Sequence, residues 1–386
     1  MMKQILKYKF TVIISAILLT TCITYMFRSG TTFSESENRY LAGRPGVTLS
    51  GLADGSFMDA FELYVKEQLP LRDALIRLKA LSEQVQFKNE NNGIIRGRDG
   101  YLFEKLIKTN PQLEKNEAAI VNFVKDMDRE INVCIVPNSF EIITDKLPDS
   151  FPNVSEKDRI SGFYDKLNEM ENVHTINMYD ELSAHKDEYI YYRTDHHWTT
   201  QGAYYGYLQL GEEMGFDPVD IKRIDGLKKE VNGFLGTFYS KYRGAGIQPD
   251  TLTYYDIDVK GYKAGKEVHD SLYDTSKLEI YDKYAMFMYG NEGLSVVESA
   301  DPDSRAEAGL HNNQPKRKEL IIFKDSYSNC LIPFLTYDYD RITVVDLRYF
   351  ADPVSGLLNE HRDADILLIY NFMHFNEDNH FYRLTS

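Results

Sequence analysis

From about residue 111 the chain alternates helix-length segments with short runs rich in β-branched residues, most of them largely apolar. The runs are 132–137 (NVCIVP), 174–178, 320–324 (LIIFK), 342–347 (ITVVDL) and 365–370 (DILLIY). A strand whose apolar residues are consecutive, rather than at alternate positions, as in LIIF and ILLI, has both faces covered. Spacers such as 116–127 and 155–171 are long enough to cross over between parallel strands as helices. The expected fold class is therefore α/β, built on a mostly parallel sheet with helices on both faces. Ligands of such sheets sit beyond the carboxyl ends of the strands, so chemistry is to be sought in the residues just after each run.

The N-terminus carries a different signal. Phe10 to Phe27 are 18 consecutive uncharged residues, preceded by Lys3, Lys7 and Lys9 and followed by Arg28. As a helix they would span about 27 Å, the length of one membrane crossing. Lysines on the short side keep that side cytoplasmic, so residues 1–28 read as a single-pass signal anchor with the main domain extracytoplasmic at the cell membrane. A cleaved signal peptide and a buried soluble helix are the alternatives, although no clear small-x-small site follows the run for cleavage. A lipidated Cys22 would need a small residue before it, where Thr21 stands. The other two cysteines, Cys134 and Cys330, are too few for a disulfide framework and read as buried thiols.

Residues 29–110 read as a tether and then packing elements. These are a polar stretch to Arg44, a helical region over about 56–88 split by Pro70, and two short strands around the Arg98-Asp99-Gly100 turn. Phe57, Phe61 and Tyr64 in the helical region are expected to pack a core. Residues 111–386 form the α/β domain, interrupted at about 215–318 by a β-rich insertion. It carries Tyr254, Tyr255, Tyr262, Tyr273, Tyr281, Tyr284 and Tyr289, and a polar loop from Ser299 to Arg317. With 44 basic and 59 acidic residues the net charge is −15, and no polycation is present to neutralise a phosphate backbone, so nucleic acid is not an expected partner.

Two segments carry chemistry. In 191–200 (YYRTDHHWTT), Asp195 and His197 are two apart, so in extended backbone they share one side and the carboxylate can hold the imidazole in one tautomer. Thr199 or Thr200 is a good N-cap for the next helix. His197 would then lie at a helix entrance, where a neutral imidazole competent as general base is easier to keep. Trp198, the only tryptophan, can brace the loop. In 320–330 (LIIFKDSYSNC), an apolar strand runs into Asp325-Ser326 and then a helix expected near Tyr327. That junction puts Ser326 at the sheet edge beside backbone N–H groups able to hold an oxyanion. Ser328 is the rival nucleophile, inside the first helical turn. Each segment alone also reads as a capped surface loop; together they supply the Ser, His and Asp of nucleophilic catalysis. A metal hydrolase using Asp195, His196 and His197 is a third reading, against which adjacent histidines diverge and no second ligand cluster appears. No cofactor and no metal are expected.

The Asp-His-His-Trp string, with ENRYLAGRP near the start, GRDGYLF at 97–103, VPNSFEIITDKLP at 136–148 and FKDSYS at 323–328, resembles the DHHW family. That family in turn is similar to the SGNH-hydrolase-like domain of the alginate O-acetylation proteins AlgX and AlgJ. The resemblance implies a flavodoxin-like three-layer α/β/α domain with Ser326 as nucleophile, His197 as base and Asp195 as its orienting partner. The family pattern skips the middle position, which makes His196 accessory. Lys324 replaces the Gly of the usual Gly-Asp-Ser, so the oxyanion hole needs donors besides the Ser326 amide. Asn138 and Asn371, each just past an apolar run, are candidates. Arg348 is a candidate substrate contact or a salt-bridge partner of Asp346. The implied activity is that of a membrane-anchored O-acetyltransferase or acetylesterase acting on a cell-surface polysaccharide, with an integral-membrane O-acyltransferase as acetyl donor. The alternative is a non-catalytic glycan-binding or scaffold module of degenerate SGNH fold, in which Ser326 and His197 would not be within hydrogen-bond reach.

Overall fold

A computed structural model describes residues 8–27, 30–34, 39–149, 151–300 and 317–385. Lys3, Lys7 and Arg28, which carry the expected membrane orientation, and residues 301–316 of the polar loop lie outside these. The chain divides into two compact units, Met1–Asn91 with Arg243–Ala245, and Asn92–Tyr242 with Gly246–Ser386.

In the smaller unit, helix α1 (Lys9–Phe27) leaves Phe10, Ile17, Leu18 and Leu19 more than half exposed. Among the described residues no helix is long and apolar enough to cross a membrane. The 19 residues of α1 reach about 28 Å along the helix axis. Helices α2 (Ser56–Glu67) and α3 (Arg72–Val85) are separated at Pro70, whose ring and missing N–H end a helix. The expected aromatic core is not found. Helix α2 has no buried residue; Phe57 and Phe61 stack on each other at 5.8 Å, and Tyr64 meets Tyr25 edge-on at 5.7 Å.

The larger unit opens with hairpin strands β1 (Ile94–Arg96) and β2 (Leu102–Glu104), paired antiparallel. Asp99 and Gly100 close it in left-handed backbone, which Asp tolerates and Gly adopts freely. Then come α4 (Gln112–Lys125), β3 (Ile131–Val136), α5 (Glu156–Leu167), β4 (Val173–Ile176) and α6 (Thr200–Met214). The insertion holds a ribbon of β5 (Lys228–Phe234) and β6 (Asp250–Tyr255), then β7 (Val259–Ala264), β8 (Glu267–His269) and β9 (Leu294–Ser299). Strands β10 (Arg317–Lys324), β11 (Tyr339–Val345) and β12 (Asp365–Asn371) complete the fold.

The main sheet runs β8-β7-β9-β11-β10-β12-β3-β4. From β11 to β4 neighbours are parallel; β9, β7 and β8 continue it antiparallel. The sheet is thus mixed. What reads as a separate insertion in sequence lengthens the parallel sheet at one edge, because the sheet edge offers unpaired backbone groups that a neighbouring hairpin can satisfy. Leu320, Ile321, Ile322 and Phe323 are all completely buried. Since successive strand residues face opposite sides, both faces are covered, as a three-layer domain requires. Phe123 of α4 contributes to that cover, its ring 6.0 Å from Phe323.

The parallel strands bring their carboxyl ends to one edge. There β3 leads to Asn138, β10 to Ser326, β11 to Arg348 and β12 ends at Asn371, four candidates that are far apart in sequence. The histidine segment reaches the same edge through the start of α6. Thr199 Oγ1 accepts the Gly202 N–H at 3.2 Å, and Gly202 packs so closely that a Cβ would overlap the Ile190 carbonyl. Gly202→Ala is therefore expected to lower stability by about 1–3 kcal/mol, measurable as a lower urea midpoint at unchanged slope.

Candidate active site

Strand β10 delivers Ser326 in a tight turn. Asp325 is extended and caps that turn: its Oδ1 accepts the Tyr327 N–H at 2.9 Å and its Oδ2 the Asn371 N–H at 2.8 Å. One carboxylate thus ties two neighbouring strand ends together. The helix expected near Tyr327 is a 3₁₀ turn, Ser326–Cys330, capped by Asp325. Ser326 is partly exposed, whereas Ser328 is fully buried, which removes the rival nucleophile from substrate. Among the described residues no acceptor faces the Ser326 N–H, so it is available to an oxyanion. Lys324 turns away from this point. Its buried ammonium donates to Asn291 and Asn329 at 2.9 and 2.8 Å, with Asp346 at 3.7 Å, and burial pushes its pKa down to about 8.

His197 meets this turn. Its Nδ1 lies 2.6 Å from Asp195 Oδ1 and its Nε2 2.8 Å from Ser326 Oγ. An ionised carboxylate only accepts, so Nδ1 carries the proton and Nε2 is the bare acceptor of the Ser326 hydroxyl. Asp195 is buried; burial would raise its pKa, but the charges and hydrogen bonds of the two imidazoles outweigh that and hold it well below the usual range. For His197, burial dominates and pushes the pKa down to about 4, reinforced by His196 and opposed by Asp195. His196 has about a third of its side chain exposed. Burial also opposes its charge, but Asp195 prevails and raises its pKa. Both rings lean on one carboxylate, so a proton on His196 discourages one on His197 and leaves the latter a neutral base.

The supports of this loop include residues that sequence reading did not single out. From the insertion, the Thr237 N–H and Oγ1 both donate to Asp195 Oδ2, at 2.7 and 3.1 Å. Thr237 Oγ1 also accepts His196 Nδ1–H at 2.7 Å. A Cβ on Gly236 would overlap Asp195, so only glycine lets this backbone approach the carboxylate. Asp250, at the start of β6, accepts the Thr194 N–H and hydroxyl at 2.8 and 2.6 Å. The hairpin takes part too, its Leu102 N–H donating to Arg193 O at 2.8 Å. Trp198 braces the loop directly onto the nucleophile turn, its buried indole donating to Tyr327 O at 2.8 Å. Tyr284 stacks on His197, ring centroids 3.7 Å apart and planes 12° from parallel.

Two expectations change, and the two readings of Arg348 are resolved. Asn371 spends its side-chain amide on Asn138 Oδ1 at 2.8 Å and Val136 O at 3.3 Å, so it brings no side-chain donor to an oxyanion. Asn138 donates its amide to Glu156 Oε1 at 2.7 Å and its backbone N–H to Oε2 at 2.7 Å. Both amides therefore serve a buried network under the strand ends, in which burial lifts Glu156 to a pKa of about 8. Arg348 is a salt-bridge residue, its Nε and Nη2 forking onto Asp346 at 2.9 and 2.6 Å. The possible metal ligands Asp195, His196 and His197 do lie within 4.8 Å of one another, but the inward ring nitrogens are directed at Asp195 and Thr237, and an ion there would have to break those bonds.

The family model described as DHHW protein matches residues 100–345. Among solved structures, the chain is similar to a DHHW family protein from Eubacterium siraeum, 24% identical over 76% of this chain and 95% of that one, with a TM-score of 0.62. It is also similar to Bacillus cereus PatB1 bearing a sulfonyl adduct, 18% identical over 76% of this chain and all of that one, TM-score 0.57. The O-acetyltransferase domain of Pseudomonas putida AlgJ matches at 14% identity over 74% of this chain and 93% of that one, TM-score 0.42. No curated protein matches the chain.

The charge arrangement sets a pH dependence. A sulfonyl fluoride should label Ser326 at a rate proportional to neutral His197, which is lost only as pH falls through about 4. An ordinary histidine, with a pKa near 6.5, would lose the rate well above that. Labelling at about pH 5.5 should thus nearly equal that at pH 7, and His196→Gln should move the acid limb upward by removing the competing charge. A midpoint near 6.5 in the unmodified protein would refute the arrangement.

Proposed function

The chain belongs to the DHHW protein family, and on that premise we propose that it is an extracytoplasmic serine-nucleophile O-acetyltransferase or acetylesterase acting on a cell-surface polysaccharide. The observation that carries this reading is the row Ser326–His197–Asp195, with contacts of 2.8 and 2.6 Å. A non-catalytic module would need Ser326 and His197 out of reach of each other; their hydrogen bond supports catalysis instead. The sulfonyl adduct in PatB1 supports the choice of an electrophile-reactive site in a protein of this fold.

In the proposed reaction the Ser326 Oγ–H proton passes to His197 Nε2 as Oγ bonds the acyl carbon of the donor. The carbonyl π pair moves onto oxygen, where the Ser326 N–H can hold it. Collapse breaks the carbon–oxygen bond to the donor, and the leaving oxygen takes the proton from Nε2. A sugar hydroxyl then gives its proton to Nε2 and attacks the acyl-serine; Oγ leaves and recovers the proton. Water in place of the sugar gives hydrolysis. Asp195 acts throughout by fixing the ring and stabilising the transient imidazolium.

The membrane context belongs to the same proposal. The exposed apolar side chains of α1 and the lysines before it support anchoring at the cell membrane with the larger unit outside. An integral-membrane O-acyltransferase would present the acetyl group there. No cofactor is required by the reaction as written.

Ser326→Ala and His197→Ala should each lower turnover of p-nitrophenyl acetate by roughly 10²- to 10⁴-fold, with the fold intact by circular dichroism. Extracted surface glycan from cells lacking the protein should carry less O-acetyl if transfer dominates and more if hydrolysis does. Wild-type turnover by the alanine variants, or unchanged O-acetyl content, would refute the proposal.

A further inference from the structure

Tyr284 lies in the insertion, 42 residues before Ser326, yet touches both reacting partners. Its ring lies flat on His197, centroids 3.7 Å apart at 12°, and its hydroxyl donates to Ser326 O at 3.0 Å. The hydroxyl is also 3.3 Å from Cys330 Sγ. The ring is held laterally by Phe287 at 5.1 Å and Tyr192 at 6.5 Å, the latter at 85°. It is buried, so water cannot take its place over the imidazole.

Resting on the acyl-transfer reading above, we propose that Tyr284 is a positioning residue that stabilises the His197 imidazolium through its ring face and holds the nucleophile turn through its hydroxyl. The proton transfer from Ser326 Oγ to His197 Nε2 creates a positive ring where a neutral one stood. The face of an aromatic ring carries the negative part of its quadrupole and attracts a cation more than a neutral group. The contact is therefore stronger in the transition state than in the resting enzyme, which is the condition for raising kcat rather than lowering KM. Asp195 supplies the same preference at the Nδ1 edge, while His196 opposes it; Tyr284 acts on the flat of the ring, a direction Asp195 cannot cover. The Ser326 carbonyl contact makes the placement specific, because one residue sets the height of the base and the position of the turn together.

The test uses the full chain in detergent and p-nitrophenyl acetate as probe. Tyr284→Leu should lower kcat roughly tenfold at unchanged KM, and Tyr284→Phe, which keeps the ring and loses the hydroxyl, should recover most of that loss. Phenylalanine with one, two and three ring fluorines at position 284 preserves shape while draining the face of negative charge. The proposal expects kcat to fall stepwise along this series, and a flat series overturns it. NMR titration of His197 separates this from the catalytic reading itself. Each added fluorine should lower the protonation midpoint of His197 whether or not ester is turned over, and a constant midpoint overturns the ring contact. Absence of turnover in wild-type protein with a shifting midpoint would overturn the acyl-transfer reading and leave the contact standing.

Discussion

The larger unit is organised around one buried carboxylate. Asp195 accepts hydrogen bonds from the backbone and ring of His197, at 3.0 and 2.6 Å, and from the backbone and hydroxyl of Thr237. An isolated carboxylate taken out of water costs several kcal/mol, and the cost is met only when its lone pairs find donors of good geometry. Two chain segments that are distant in sequence must therefore close on it together. The glycine before Thr237 is what lets them, since any side chain there would occupy the space of the carboxylate itself.

Around that centre the segments are tied to one another rather than only to the sheet. Trp198 of the histidine loop bonds Tyr327 of the nucleophile turn, and Tyr327 in turn bonds the His196 carbonyl. Tyr284 of the insertion bonds the Ser326 carbonyl and covers the imidazole. These ties are buried and join elements distant in sequence, so shifting one displaces the others. That is how a fold brings reacting groups within hydrogen-bond reach without strain at the reacting residues: Ser326, His197 and Asp195 are absent from the left-handed backbone conformations, which fall in turns elsewhere.

Lys324 shows how the sheet edge adapts to a residue of unexpected type. A lysine at the end of a fully buried strand must be satisfied, and here its ammonium meets Asn291, Asn329 and the Asp346 that also holds Arg348. The charge stays beneath the edge, linking the insertion to the turn.

Local pattern made much of the α/β core legible. The β-branched runs at 132–137, 320–324, 342–347 and 365–370 all lie on strands of the main sheet, the Arg98-Asp99-Gly100 turn closes a hairpin, and Thr199 caps α6, because each depends on neighbours a few residues away. The order of strands, the antiparallel extension of the sheet by β7 to β9, and the use of Gly236, Thr237, Asp250 and Tyr284 depend on segments meeting across the fold. Nothing in the spacing of a tyrosine-rich insertion distinguishes the one ring that lies on His197 from those that fill the core. The same holds for Asn138 and Asn371: chain order put them at strand ends, where substrate contacts are made, and packing alone revealed that their side-chain amides bond each other and Glu156, while for Arg348 packing decided between a substrate contact and the Asp346 salt bridge. Read alone, the amino-acid order settles the alternation of elements and the residue types brought to the sheet edge, since both follow from local periodicity. Which of those side chains keep a free lone pair or N–H for chemistry is settled by packing, because a hydrogen-bonding group is available only when no distant neighbour has already taken it.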